Sequence, residues 1–106
     1  MSNRYIRVVT LWIHPGQEQA FDTFEREAAR IMARHGGRID NAVRLNVPKV
    51  AGQADELPYE LHIVGFPDQA AYDSYLADSE TAALRERRGL IISRTELMSG
   101  HEAGPY

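Results

Sequence analysis

The sequence contains no cysteine among its 106 residues. Disulfide bonds, thiolate-bound metals and cysteine nucleophiles are therefore excluded. It also lacks an excess of basic residues, because 12 lysines and arginines stand against 15 acidic residues and leave a net charge of -3. Nucleic-acid-binding domains usually carry clustered positive charge, so we expect no nucleic-acid partner.

Long hydrophobic runs are absent as well. No apolar run approaches the ~20 residues that a membrane-spanning helix needs, so we expect no membrane association. Met1 leads into a strand pattern without the apolar stretch of a secretory signal, and we therefore expect a cytoplasmic protein. The remaining composition, with 43% apolar and 25% charged residues, is typical of one small globular domain.

Apolar periodicity predicts the order β-α-β-β-α-β. We predict strands over residues 5–13, 38–47, 59–66 and 90–98. A long helix is predicted from Gln17 to the Gly36-Gly37 pair, a second begins with Asp68 as its N-cap, and a short third begins at Asp78 and stops at Gly89. This order is typical of an α+β, ferredoxin-like fold, a four-stranded antiparallel sheet with its helices on one face. Residues 1–99 are predicted to form this single domain, and residues 100–106 a C-terminal tail.

The side of the sheet that the helices cover is predicted from the apolar face of each strand. We assign to the helix side Ile6, Val8, Trp12, Leu61 and Ile63, together with Ile39, Val43, Leu45 and Val47 of the second strand. Gly65 on that side would allow a helix to approach closely. The opposite face then holds apolar and charged side chains together: Tyr5, Arg7, Val9, Leu11, Ile13, Arg44, Glu60, His62, Val64, Phe66, Leu90, Ile92, Arg94 and Glu96. A face of this kind is an interaction surface, so we expect a second copy to cover it in a homodimer.

The stretch from Phe66 to Leu84 resembles the DUF1330 family of the dimeric α+β barrel superfamily, which also contains antibiotic-biosynthesis monooxygenases and EthD-like proteins. The matching residues are Phe66-Pro67, Ala70-Ala71, Tyr75 and Glu80. The residues that depart from the family pattern are Gly65, Leu76, Ser79 and Thr81. The resemblance implies a dimeric α+β barrel that forms through the sheet faces. It implies no reaction, because DUF1330 has no assigned chemistry.

His62 is the main candidate for a catalytic residue. It lies mid-strand beside Glu60, and an imidazole suits acid–base chemistry; the alternative is a hydrogen-bonded histidine in an interface. His14 follows the first strand and either lines the mouth of the barrel or is an ordinary loop residue. The 4 histidines do not have metal-ligand spacing, so we expect no metal and no cofactor.

Aromatic and basic residues supply the remaining candidates for ligand binding. The aromatic residues Trp12, Tyr59, Tyr72 and Tyr75 either enclose a pocket or simply fill the core. The resemblance to the monooxygenases implies an aromatic substrate there. Arg7 and Arg94 either hold an anionic ligand or pair with glutamates such as Glu60 and Glu96. The late arginines Arg85, Arg87 and Arg88 are expected on a solvated helix face.

Three functions remain open at this point. The first, which we favour, is a homodimer that binds a small organic molecule and has no assigned reaction. The second is a cofactor-independent monooxygenase that acts on a small aromatic compound. The third is a structural or interaction protein without a ligand.

Overall fold

The structure is a computed structural model that describes residues 4–46 and 57–106. The elements of these ranges are β1 (Tyr5–Ile13), α1 (Glu18–Arg34), β2 (Arg38–Arg44), β3 (Glu60–Phe66), α2 (Gln69–Ala77), α3 (Ser79–Ile91) and β4 (Ile92–Gly100). The strands form one antiparallel sheet in the order β2-β3-β1-β4. All three helices of the described ranges contribute side chains to a core on one face of this sheet. The predicted ferredoxin-like α+β fold is therefore confirmed.

The long helix α1 forms because its apolar residues recur at helical spacing. The residues that it buries are those of the predicted stripe, namely Phe21, Phe24, Ala28, Ile31 and Met32. Gly36 ends the helix with a φ of 75°, a conformation that residues with a Cβ rarely adopt. The next residue, Gly37, lies so close to the Phe66 ring that a Cβ there would collide with it.

The two shorter helices begin at aspartate N-caps. The Asp68 side chain accepts a hydrogen bond from the Ala71 backbone N–H, and the Asp78 side chain accepts one from that of Glu80. The predicted stop at Gly89 is wrong, because α3 continues to Ile91 and β4 begins at Ile92 instead of residue 90. Strand β2 ends at Arg44; Val47, predicted to belong to it, and most of the predicted loop over 48–57 lie outside the described residues.

The predicted faces of β1 and β3 are reversed. The side chains of β1 and β3 that pack toward the helices are Val9, Leu11, Val64 and Phe66, together with the partly buried Tyr5 and Ile13. Side chains alternate between the two faces of a strand. The residues that we assigned to the helix side, Ile6, Val8, Trp12, Leu61 and Ile63, therefore point away from the helices. We call this second side the open face.

Local irregularities explain further differences. The β2–β3 register shifts between Ile39 and Asn41, so Ile39 contacts the core, whereas Val43 lies on the open face opposite Leu61. The β1–β4 register shifts between Trp12 and Ile13, which puts Ile92 in the core and Arg94 beside Trp12 on the open face. One extra residue in a bulge changes the face of everything that follows it.

Gly65 also lies on the open face, and no helix approaches it. A Cβ at this position would collide with the guanidinium of Arg4, which forms a salt bridge of 3.0 Å with Asp40. The glycine therefore leaves space for an ion pair that crosses the sheet. Within the described ranges, no helix is long and apolar enough to cross a membrane.

Candidate functional site

A cavity of about 450 Å³ lies between the sheet and the helices. Its volume falls within the range of small-molecule sites. Most of its wall is apolar: Val9, Leu11, Phe24, Ala28, Met32, Val64, Phe66, Leu76, Leu84 and Leu97. Its polar lining residues are Arg7, Glu25, His62, Tyr72, Tyr75, Thr81, Arg85, Arg88 and Thr95. An apolar enclosure with a few convergent polar groups is typical of a ligand site.

His62 and Glu60 form a buried pair at the sheet wall. The two residues are 3% and 6% exposed, and 2.5 Å separates His62 Nε2 from Glu60 Oε2. They lie on the same face because they are two residues apart in β3. The other oxygen of Glu60 accepts a hydrogen bond of 2.9 Å from Arg44, which also donates to Asp22 of α1. The charge of Glu60 is therefore balanced by an arginine at the protein surface.

Glu25 approaches the same histidine from the opposite side. Its Oε2 atom lies 3.8 Å from His62 Nδ1. Burial raises the pKa of Glu25, although the neighbouring His62 and Arg88 act in the opposite direction. In the tautomer that donates from Nε2 to Glu60, His62 Nδ1 has a lone pair directed toward Glu25. The arrangement can therefore accept a proton from, or return one to, a molecule bound in the cavity.

Arg7 is held farther along the same face of the sheet. It pairs across strands with Val64 and Ser99, and its Nη1 donates to Ser99 Oγ at 2.8 Å and to the Tyr5 hydroxyl at 3.1 Å. Its guanidinium carbon lies 4.9 Å from the centre of the Tyr72 ring, within the range of a cation–π interaction. These contacts fix the position of a positive charge at the cavity wall.

Two buried hydrogen-bonding atoms of the cavity have no partner among the described residues. They are Arg7 Nε and Thr81 Oγ1. Buried polar atoms are nearly always hydrogen-bonded in folded proteins. Both therefore have unused capacity for a bound molecule. Tyr75, in contrast, is a neutral part of the wall, since burial raises its pKa to about 12.

The structure brings together four of the eight predicted site residues. Arg7, His62, Tyr72 and Tyr75 all line the cavity. Trp12 and Arg94 do not, because they stack on each other on the open face at 4.4 Å. Arg94 also pairs with Glu96 there, as one of the two alternatives predicted.

The other two candidates lie away from the cavity. His14 is exposed, and its Nε2 is 2.9 Å from the backbone oxygen of Gly89. Tyr59 packs edge-on against Phe21, at 5.4 Å between ring centres, while Arg44 lies over its other side. Tyr59 is thus a core aromatic, as its alternative interpretation predicted.

Sequence reasoning missed five polar residues of the cavity. They are Glu25, Thr81, Arg85, Arg88 and Thr95. The sequence did indicate that Glu25 faces the core. It lies four residues after Phe21 and three before Ala28, and so falls within the apolar stripe of α1. Arg88 is half-buried and contacts Thr95 of β4, so its predicted place on a solvated helix face is wrong. Arg85 lines the cavity but is exposed, as predicted. In the described ranges, no group of three or more histidine, aspartate or glutamate side chains is arranged to hold a metal ion.

Neither protein-family models nor curated protein sequences match the chain. Solved structures do share its fold. A protein of unknown function from Rhodopseudomonas palustris is 15% identical with a TM-score of 0.80, over 99% of this chain and 86% of that one. A proposed antibiotic biosynthesis monooxygenase from Bacteroides thetaiotaomicron is 20% identical with a TM-score of 0.72, over 97% and 92%. Another, from Nitrosomonas europaea, is 12% identical with a TM-score of 0.63, over 100% and 94%. These likenesses establish a fold common to proteins of unknown function and to proteins named as monooxygenases.

Proposed function

We propose that this chain is a small-molecule-binding protein of the DUF1330 type whose ligand occupies the cavity between the sheet and the helices. The observation that carries the proposal is the buried Glu60–His62 pair against an otherwise apolar cavity wall. Burying charged groups is costly, and a purely structural core gains little from it. A site that binds and orients a polar group of a ligand accounts for that cost.

A ligand-blocking variant tests this proposal. Ala28 is buried, belongs to α1 and lines the cavity, so a leucine in its place fills part of the space. We expect Ala28→Leu to weaken the binding of the neutral probe 2-naphthol at least tenfold in calorimetry. Ala33→Leu is the matched control, because Ala33 is exposed on the same helix. Equal affinities for wild type and both variants would contradict the proposal.

A cofactor-independent monooxygenase is the second candidate, and His62 is the observation that favours it. A base at His62 Nδ1 can remove the proton of a bound phenol and so make the ring easier to oxidise by dioxygen, with a quinone and water as products. Two proteins of the same fold carry the name of antibiotic biosynthesis monooxygenase. Oxygen consumption with 2-naphthol that His62→Gln abolishes would support this candidate. If the oxygen concentration does not change, the protein does not oxidise 2-naphthol, and only the binding function remains.

We also propose that the open face pairs with the open face of a second copy. This face carries a cluster of apolar side chains, of which Val43 is 44% and Met98 55% exposed. The other members, all half-buried, are Val8, Trp12, Leu61 and Ile63. Large apolar patches of this kind are typical of interaction surfaces.

Because the same surface meets itself, the contact is expected to be two-fold. Light scattering should give twice the 12.0 kDa of one chain at micromolar concentration; the mass of one chain would refute the dimer.

A further inference from the structure

The charges that line the cavity are unbalanced. Arg7, Arg85 and Arg88 all contribute to its wall, and Glu25 is the carboxylate among its lining residues. None of the three arginines forms a salt bridge with a carboxylate of the described residues, whereas Arg44 and Arg94, elsewhere on the sheet, do. The chain as a whole carries a net charge of -3. A positive cavity in an acidic protein therefore reflects a local arrangement and not the overall composition.

The remaining carboxylates do not compensate for this excess. Glu60 lies behind His62 and is neutralised by Arg44 from outside the cavity. Glu25 has a raised pKa because it is buried, which disfavours its negative form. The cavity wall thus carries three arginines, of which Arg85 is exposed, against at most one negative charge.

The arginines are held by neutral groups, which leaves donors available. Arg85 donates to the backbone oxygen of Leu76, and Arg88 donates to the Thr95 hydroxyl. Arg7 is fixed by the hydroxyls of Tyr5 and Ser99, while its Nε has no partner in the described part of the chain. A guanidinium has five N–H donors, and its preferred partner is a carboxylate that accepts two of them.

We propose that the cavity selects an organic carboxylate with an apolar, ring-sized body, and that Arg7 binds its carboxylate group. The inference rests on the small-molecule function proposed above and adds the charge of the ligand. Arg7 pairs with Val64, two residues from His62 in β3, so the two side chains are diagonal neighbours about 7–8 Å apart on one face of the sheet. A ring attached to the carboxylate spans that distance. Its far side then lies against His62.

Two probes that share the naphthalene ring but differ in charge test the inference. We expect 2-naphthoate to bind wild type at least tenfold more tightly than the neutral 2-naphthamide. Arg7→Gln should remove this preference by weakening 2-naphthoate alone. Arg26→Gln is the control, because it makes the same change of net charge at an exposed position of α1. Circular dichroism establishes that each variant is folded.

A second pair of variants covers the case in which Arg7→Gln does not fold. Arg7→Lys retains the charge but not the forked geometry, so it should keep only part of the preference. Thr81→Val removes the unpartnered hydroxyl at nearly constant volume and should weaken 2-naphthoate several-fold. Equal affinities of wild type for the two probes would overturn the inference and leave the proposed function standing. The absence of binding by either probe and by 2-naphthol would instead contradict the proposed function itself.

Discussion

Replacing Leu11 and Leu61 by aspartate, in separate variants, distinguishes the two faces of the sheet. Both leucines lie in central strands, but Leu11 is 2% exposed in the core, whereas Leu61 lies half-buried on the open face. Leu11→Asp loses about 1.5–3 kcal/mol of apolar burial. It also places a carboxylate directly across from Glu60, at a further cost of several kcal/mol.

The two variants should therefore differ sharply. The combined cost at Leu11 approaches the whole free energy of unfolding of a small domain, about 5–15 kcal/mol, so this variant should be largely unfolded. Leu61→Asp should cost a single subunit only about 1 kcal/mol. An unpaired charge in the proposed dimer contact costs about 3–5 kcal/mol, which raises the dissociation constant by about two to four powers of ten.

Circular dichroism and light scattering measure these outcomes together. We expect Leu11→Asp to lose its secondary structure and Leu61→Asp to keep it as a monomer. A folded Leu11→Asp, or a Leu61→Asp variant that unfolds to the same extent, would refute the assignment of the faces. A folded, dimeric Leu61→Asp variant would refute the dimer while leaving that assignment intact.

Three further changes test individual contacts. Because burial raises the pKa of Glu25, the charged form of this side chain destabilises the folded state. Glu25→Gln should therefore raise the melting temperature at pH 7, and this gain should vanish once the pH falls below the pKa of an ordinary glutamate. A hydrogen bond with His35, above all, lowers the pKa of Asp78, so the stability that it contributes is present at neutral pH and lost on acidification. Asp78→Ala should therefore lower the melting temperature at pH 7 and have a smaller effect near pH 3. Gly37→Ala should cost about 1–3 kcal/mol in denaturant unfolding, since the new methyl group meets the Phe66 ring.

The elements could be predicted because their signals are local. The apolar stripe of α1 recurs at helical spacing, and Asp68 lies directly before the residues that it caps. Strand β1 was predicted with its observed bounds, because Tyr5 to Ile13 is an unbroken run of strand-forming residues ended by His14-Pro15-Gly16. Such signals need no knowledge of what packs against them.

The faces could not be predicted because β1 is apolar on both sides. Because the two sides of β1 are equally apolar, the charged residues Arg7, Glu60 and His62 favoured an assignment in which their side of the sheet faces away from the helices. In the structure these groups face the helices, where a cavity and neighbouring polar groups accommodate them. The shift of register near Asn41 changed the face of Val43 as well, and no residue pattern marked it.

The site was predictable to the extent that it lies within one strand. Glu60 and His62 lie two residues apart in β3, so their position on one face of the sheet could be predicted, but the hydrogen bond between them was not. Glu25 and Arg88 join them from α1 and α3, and only the packing of those helices on the sheet decides this. The carboxylate-binding role inferred for Arg7 likewise required knowing which arginines lack a carboxylate partner in the described residues.

A crystal structure of the protein soaked with 2-naphthoate tests the central claim most directly. The account predicts the naphthalene ring between the sheet and the helices, in contact with the apolar residues around Ala28. It predicts the carboxylate within hydrogen-bonding distance of Arg7 and the far side of the ring against His62. A fully occupied ligand on the open face, with the space between the sheet and the helices filled by protein side chains, would contradict it.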